Sequence, residues 1–559
     1  FFADCACGFA RCVHFWALFS CQAPFSLRPQ RGVVGCKMNF LGVPDWVILV
    51  VTALVLLYLY AARYRNYWKE QNVVHENFSL IFAASKRMLF KPFHRMDQDR
   101  YLQFGKLFGV YEGGKPMLFV GDPELVKLVL VKDFPSLPNR RMINFFDPLL
   151  DNMMSMVPAE KWRRIRPAAS PAFSTGKLRK MNNLIADCAR KTAQHLEETA
   201  EKEGELDLKQ FYGNYALDVI AGCAFGTRLD SHTEETNEFV AKARQAFSGK
   251  ITPRLVFFLL LPGLAKLLKM KAFNSDIFLY FKNLSLQIIE NRKKSQSRQE
   301  DFLQLMMDAR DGSIAATDEI STSTDEKLFN LDSEMKTDTS FVGGVKALTE
   351  DEAMAQCVLF FLAGQDTTSS VISFTLYLLA IHPEIQAKLR EEVDDCFKKH
   401  GPEPSLDVVS KLRYLHGVVS ESLRMFPPAT RLERSALSDY VLGDTGIKVP
   451  KGCVVAVPVY SMHYDPDNFP DPTTFDPERF SDENIDSIRP YTYLPFGAGP
   501  RNCIGMRFAL EAVKLSILHS LHSVEFVRTK NTKVPLDFVI GFGVLNAKHI
   551  TVGIRKRTA

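Results

Sequence analysis

Phe496-Gly-Ala-Gly-Pro-Arg-Asn-Cys-Ile-Gly505 decides how the rest of the chain is read. Glycines at 497, 499 and 505 permit backbone angles and close approaches that other residues resist, so the segment can turn tightly around one side chain. That side chain is Cys503. A metal-bound thiolate needs N–H donors about its sulfur, and a tight loop supplies them. Residues 506–521, MRFALEAVKLSILHSL, carry a helical apolar pattern. Cys503 therefore stands just before a helix N-terminus, whose dipole favours the deprotonated sulfur. Arg501 can meet a carboxylate on the edge of a bound group, and Phe496 can shield the sulfur from water. A glycine-rich loop before a helix can also cradle a phosphate, and a lone buried cysteine is usually inert. The full pattern, Phe-x-x-Gly-x-Arg-x-Cys-x-Gly, fixes five positions in ten and so favours the metal thiolate.

Upstream, Thr349-Glu-Asp-Glu352 has the spacing of a capping box and predicts a helix start. An apolar pattern follows to Ile381, ahead of His382-Pro383, with Ala363-Gly-Gln-Asp-Thr-Thr368 at its centre. Such polar groups are costly to bury in an apolar helix without a task. Gly364 opens space beside the helix, and the Thr367 hydroxyl can bond back to the Ala363 carbonyl and distort it locally. An acid followed by an alcohol, Asp366 then Thr367, suits relayed proton delivery. The bland alternatives are a kinked core helix or a membrane span; the span fails because its polar group would fall at mid-depth.

Glu421-Ser-Leu-Arg424 puts opposite charges at i, i+3 on one helix face. Most such pairs are weak surface pairs, yet the flanking sequence here is apolar, and Pro477-Glu-Arg-Phe480 supplies a further arginine, Arg479. Trp162 and Arg166 stand at i, i+4, on one face of a predicted helix.

These blocks, in this order across residues 100–559, resemble the cytochrome P-450 superfamily. The resemblance implies a mainly α fold with a minor β region, as a single catalytic domain. It implies haem b as cofactor, with Cys503 as its iron ligand and Phe496, Arg501 and Gly505 around it. It gives Asp366 and Thr367 the acid–alcohol roles, and Glu421, Arg424 and Arg479 those of a buried triad shaping the cysteine loop. Trp162, Arg166, Arg140 and Arg434 become propionate contacts, although Arg140 and Arg434 can also be read as plain surface arginines. By analogy the substrate pocket uses Leu362, Ala363, Ala429, Thr430 and Gly543, with the stretches 145–156 and 254–261; these are mostly apolar and suit a lipophilic substrate. Electrons would come from NADPH through NADPH–cytochrome P-450 reductase, with cytochrome b5 as a further candidate donor. Lys161, Arg163, Arg164 and Lys514 can form the basic docking face, or be solvated charges. Leu217-Asp-Val-Ile220 with Ala224-Phe-Gly226, Ser170-Pro-Ala-Phe173 with Gly176-Lys-Leu178, and Arg431-Leu-Glu-Arg434 resemble a microsomal clan of drug-metabolising and insect detoxifying enzymes and thromboxane synthase.

Bulk properties agree. With 46% hydrophobic and 24% charged residues the chain can build a large core. A net charge of +5 over 559 residues argues against a dedicated nucleic-acid binder. Five of the 11 cysteines precede Met38, and the rest are scattered singly, without CxxC or zinc-like spacing, which points to a reducing compartment. Residues 1–37 read as a non-native upstream extension. Trp46 to Ala62 is free of charge, preceded by Asp45 and followed by Arg63, Arg65 and Lys69. It predicts a signal anchor within 38–62, an endoplasmic reticulum membrane location and a cytosolic catalytic domain. Residues 63–99 read as a linker, and the proline-rich hinge expected there is missing around Asn72 to Phe90. Gly312 to Ser340 reads as a surface loop. Arg254 to Leu268 reads either as a membrane-dipping helix pair or as an ordinary buried helix.

Three functions compete. The first is a monooxygenase that inserts one oxygen atom from O2 into a xenobiotic, steroid or fatty acid. The second is a haem-thiolate isomerase that rearranges a peroxide; the intact Asp366–Thr367 pair argues against it, since that reaction needs no proton relay. The third, a haem sensor or carrier, fits poorly with an apolar pocket and an anchor.

Overall fold

The computed structural model describes residues 44–557 apart from 79–90, 113, 203, 234–237, 247–253, 255–256, 258–261, 269, 272–274, 297, 300, 313–346 and 541–543. The expectations for residues 1–37, for most of 254–261, for nearly all of 312–340 and for Gly543 thus lie outside the described residues. The chain divides into two units, Phe1–Tyr60 and Ala61–Ala559. What is described of the first belongs to helix α1, Asp45–Ala62, whose Trp46, Leu49, Leu54 and Tyr60 are exposed.

The second unit is mainly helical. Its principal helices are α2 (Phe93–Phe104), α3 (Ala159–Ala169), α4 (Thr175–Ala200), α5 (Leu208–Phe225), α6 (Ser275–Ser295), α7 (Phe302–Arg310), α8 (Glu350–Ile381), α9 (Pro383–His400), α10 (Arg413–Met425), α11 (Val459–His463) and α12 (Met506–Ser523). The strands are short: β1 (Leu107–Glu112), β2 (Lys115–Val120), β3 (Glu205–Asp207), β4 (Leu432–Ser435), β5 (Tyr440–Val441), β6 (Lys448–Val449), β7 (Val454–Val457), β8 (Val524–Val527) and β9 (Thr551–Lys556). They form sheets ordered β1-β2-β7-β4 and β3-β9-β8, and a β5-β6 ribbon. A hairpin around Gly114 pairs Phe108 with Phe119 across antiparallel strands and stacks their rings at 4.8 Å. Trp68, in the segment read as a linker, is fully buried against Gly109, and its Nε1 donates to the Val110 carbonyl at 3.0 Å.

α8 is the axis of the domain and packs on α5, α7, α12, α10 and α6. By length and composition it could cross a membrane, but it is a core helix, buried over most of its C-terminal half. Its start is the expected capping box: Glu352 N–H donates to Thr349 Oγ1 at 3.2 Å, and Thr349 N–H to Glu352 Oε2 at 2.9 Å. Gly364 borders open space beside α8, as the sequence suggested, and it also faces α5. A Cβ there would sit 2.5 Å from Ile220 Cδ1, so the glycine lets α5 approach closely.

One core residue breaks the apolar rule. Glu511, on α12, is 3% exposed, neither carboxyl oxygen has a hydrogen-bond partner among the described residues, and burial pushes its carboxyl up to about 8. A folded-state value above the unfolded one means the folded chain keeps a proton that the unfolded chain releases. Stability therefore falls as pH rises from about 4.5 to about 8, by on the order of 3 kcal/mol at pH 7. Glu511→Met, close in volume, is expected to raise the urea midpoint at pH 8 and leave it nearly unchanged at pH 4.5. An equal gain at both pH values would disprove the assignment.

Candidate active site

The loop before α12 is built as its glycines require. Gly497 and Gly499 hold φ of +75° and +74°, and a Cβ on Gly499 would lie 1.9 Å from the Leu130 carbonyl oxygen. Gly505 has an ordinary φ of −94°, so its backbone does not demand glycine; it lines the adjoining cavity instead. Gly497 N–H donates to the Leu494 carbonyl at 3.0 Å and Cys503 N–H to the Phe496 carbonyl at 2.9 Å, which closes the turn. Cys503 is exposed and lines a cavity of about 240 Å³. Burial pushes its thiol up, while the Gly505 N–H and the guanidiniums of Arg166 and Arg140 pull it down. Two arginines distant in sequence thus supplement the local helix terminus.

Four buried or half-buried guanidiniums gather beside the loop, and no described carboxylate pairs with any of them. Arg501 donates to the carbonyls of Pro138, Met154 and Val157 at 3.1–3.3 Å and lies 4.6 Å over the Trp162 ring. Arg140 donates to the Arg501 carbonyl at 3.0 Å, and Arg166 to the Asn502 carbonyl and Oδ1 at 3.1 and 2.8 Å. Arg434 is 2% exposed and donates to the Glu433 carbonyl at 3.0 Å, and its Nε has no partner among the described residues. Burial, reinforced by repulsion within the group, lowers Arg434 and Arg501 to about 9; burial lowers Arg166 to about 10. An uncompensated buried cationic cluster is unstable by itself, and an anionic ligand with two carboxylates would offset it. Strand alternation explains why the adjacent Arg431 does not join this group. Arg431 and Glu433 leave β4 on the opposite side from Arg434, and Arg431 pairs with Asp97 at 2.5 Å and with Glu112 and Glu433.

Across the cavity stands α8, presenting Ala363, Gly364 and Thr367. The Thr367 hydroxyl donates to the Ala363 carbonyl at 2.7 Å, the back-bond the sequence suggested. Asp366 does not line the cavity. Its Oδ1 accepts from Lys209 Nζ at 2.7 Å, and the same ammonium reaches the Asp366 carbonyl, Ser369 Oγ and Ser370 Oγ. Sequence reasoning missed Lys209, and one signal was there: a lysine in the first turn of a helix sits against the dipole and implies a specific partner.

Glu421 and Arg424 are fully buried, joined by two bonds of 2.7 and 2.8 Å, with Arg479 Nε 3.4 Å from Glu421. Burial pushes the Glu421 carboxyl up, and the Arg424 bonds pull it back. The surface-pair alternative is therefore excluded.

Ala363 lines the cavity; Leu362, Ala429 and Thr430 do not, and Thr430 is buried with its carbonyl accepting from Tyr460 N–H. Lys514 is 3% exposed, so it cannot contribute to a basic outer face; Lys161 and Arg163 are exposed, and Arg164 is tied to Glu352.

A cysteine on a glycine-shaped turn thus lines a cavity together with Arg140, Arg166 and Arg501, a setting in which a thiolate and cations could hold an anionic metal-containing group. The cytochrome P450 family profile matches residues 73–550, and the chain belongs to that family. It is therefore a haem-dependent monooxygenase, which relies on a redox partner, and the peroxide-rearranging alternative is not favoured. Mouse cytochrome P450 3A41 is 36% identical over 504 residues, covering 89% of this chain and 93% of that protein. Human cytochrome P450 3A7 is 36% identical over 525 residues, covering 92% and 97%, and pig cytochrome P450 3A29 is 37% identical over 499 residues, covering 88% and 92%.

Removing Arg424 leaves Glu421 in the core with the longer Arg479 contact and one backbone bond from Asp476 N–H. Arg424→Met is expected to cost roughly 3–5 kcal/mol of stability, read as a lower urea midpoint. A loss under about 1 kcal/mol would assign the pair to the weak class of surface bridges.

Proposed function

We propose that this chain is a microsomal monooxygenase whose Cys503 is the proximal ligand of haem b and whose substrate is a lipophilic small molecule: a xenobiotic, a steroid or a fatty acid. The observation that carries the reading is the Cys503 thiol open to a cavity that is lined by Arg140, Arg166 and Arg501, none paired with a described carboxylate, and bounded opposite by Thr367. Arg140, Arg166, Arg434 and Arg501, with Trp162, would hold the two propionates, exchanging a buried like-charge cluster for ion pairs. When bound, haem supplies the O2-activating chemistry, and thiolate donation favours O–O cleavage.

The chain's own residues do the rest. The turn from Phe496 to Gly505 holds the sulfur away from bulk water. Thr367 Oγ1, anchored on the Ala363 carbonyl at 2.7 Å, is placed to pass a proton into the cavity. Asp366, the acid of the pair, is held by Lys209, so its supply of protons runs through that ion pair. Electrons would come from NADPH through NADPH–cytochrome P-450 reductase, with cytochrome b5 as a second donor, docking near Lys161 and Arg163. The apolar helix α1, followed by Arg63, Arg65 and Lys69, supports an anchor in the endoplasmic reticulum membrane with the catalytic unit on the cytosolic side.

The test is NADPH consumption and product formation with lipophilic probes in the presence of reductase. Turnover is expected for the intact chain. Cys503→Ser is expected to abolish the thiolate-type absorption of the reduced, carbon-monoxide-treated protein. Thr367→Ala should keep that absorption, lose about 10²-fold in product formed, and release reduced oxygen as hydrogen peroxide. Fully coupled turnover by Thr367→Ala would refute the relay, and an imidazole-type spectrum from the unaltered chain would refute Cys503 as ligand.

A further inference from the structure

The buried Glu421–Arg424–Arg479 group makes no described hydrogen bond to the loop 496–505. Arg424 donates to Glu421 and to the carbonyls of His463 and Thr474; Arg479 reaches Glu421 and the Asp471 carbonyl; Glu421 also accepts from Asp476 N–H. Any influence on Cys503 must therefore pass through an intermediary, and the structure offers one.

His463, the last residue of α11, is fully buried. Its Nε2 accepts from the Leu494 N–H at 2.9 Å, which requires the ring proton to sit on Nδ1, and Nδ1 donates to the Arg424 carbonyl at 2.9 Å. The Arg424 carbonyl is among the last of α10, where the helix offers no internal donor. The contact is reciprocal, because Arg424 Nη1 donates to the His463 carbonyl at 2.8 Å. Stacking on Tyr493 at 5.5 Å fixes the ring plane, and the Tyr493 hydroxyl donates to the Ser420 carbonyl on the same helix. From Leu494 the path is short: its carbonyl accepts from Gly497 N–H, and the Phe496 carbonyl accepts from Cys503 N–H.

We propose that His463 is the positioning residue through which the buried Glu421–Arg424 pair holds the thiolate loop, and with it the Cys503 sulfur, in register. Only a group with a donor on one side and an acceptor on the other can join a helix-end carbonyl to a loop N–H. A neutral imidazole has that polarity, and burial keeps it neutral by lowering His463 to about 3. The inference rests on Cys503 being the iron ligand.

The neighbouring residue provides a control. Tyr464 also caps the end of α10, its hydroxyl donating to the Met425 carbonyl at 3.1 Å, but no described bond joins it to the loop. The experiment compares His463→Phe, His463→Gln and Tyr464→Phe in the haem-loaded full chain. It reads the carbon monoxide spectrum of the reduced protein and the rate of haem release to an acceptor. His463→Phe is expected to lose the thiolate-type absorption from at least about half of its haem. It should also release haem roughly tenfold faster, the worth of one buried hydrogen bond. His463→Gln, whose amide carries both a donor and an acceptor, should restore most of each. Tyr464→Phe should lower stability while leaving the spectrum unchanged. If His463→Phe keeps the native spectrum and release rate while the unaltered chain shows a thiolate spectrum, the His463 proposal fails alone. If the unaltered chain shows none, the Cys503 assignment fails instead. Should His463→Phe not fold, amide exchange in the unaltered chain decides: residues 494–503 and 421–425 should open together, and independent opening would overturn the coupling.

Discussion

Four guanidinium groups held in a protein interior without a carboxylate among them form an arrangement that a folded chain tolerates only if an anion is part of the finished structure. Arg140, Arg166, Arg434 and Arg501 come from the segment before α3, from α3, from β4 and from the cysteine loop, so the cluster exists only when these elements are docked. Their mutual repulsion and burial lower Arg434 and Arg501 together. The same field acts on Cys503, where Arg166 and Arg140 oppose the effect of burial on the thiol. In the proposed reading, cofactor retention and thiolate formation would thus draw on one source, and a bound dianion would relieve the electrostatic frustration of the cluster.

The frustration is matched by rigidity on either side. A second ion network, in which Arg431 and Arg141 meet Asp97, Glu112 and Glu433, is fully compensated and lies on the opposite side of β4. Strand alternation puts Arg434 in one environment and Arg431 in the other, three residues apart in sequence. On the other side of the loop, the Glu421–Arg424 pair is shielded completely from water and tied to backbone carbonyls of distant segments. Such a pair adds little net stability, since desolvation cancels much of its attraction, but it tolerates only one geometry. Fixing the geometry of a loop is the task the site requires.

On the cavity's far wall the acid and the alcohol of the relay are separated by direction. Thr367 faces the cavity and Asp366 faces Lys209. Consecutive helical residues diverge by about 100°, so both cannot point at one atom. Any proton passed between the two would therefore travel indirectly, by way of the Asp366–Lys209 ion pair.

Sequence alone settled the parts whose physics is local. The glycine turn, the capping box at Thr349, the Thr367 back-bond and the i, i+3 pairing of Glu421 with Arg424 each depend on residues within a few positions of one another, and each is present. Tertiary structure decided what depends on partners far away in the chain. It showed that Gly364 admits Ile220, that Lys514 is interior, that Arg140 and Arg434 join Arg166 and Arg501 with no counter-charge among the described residues, and that Lys209 holds Asp366 and His463 bonds to Leu494. Burial and net charge compensation are sums over neighbours brought together by folding, and no spacing along one strand of sequence encodes such a sum.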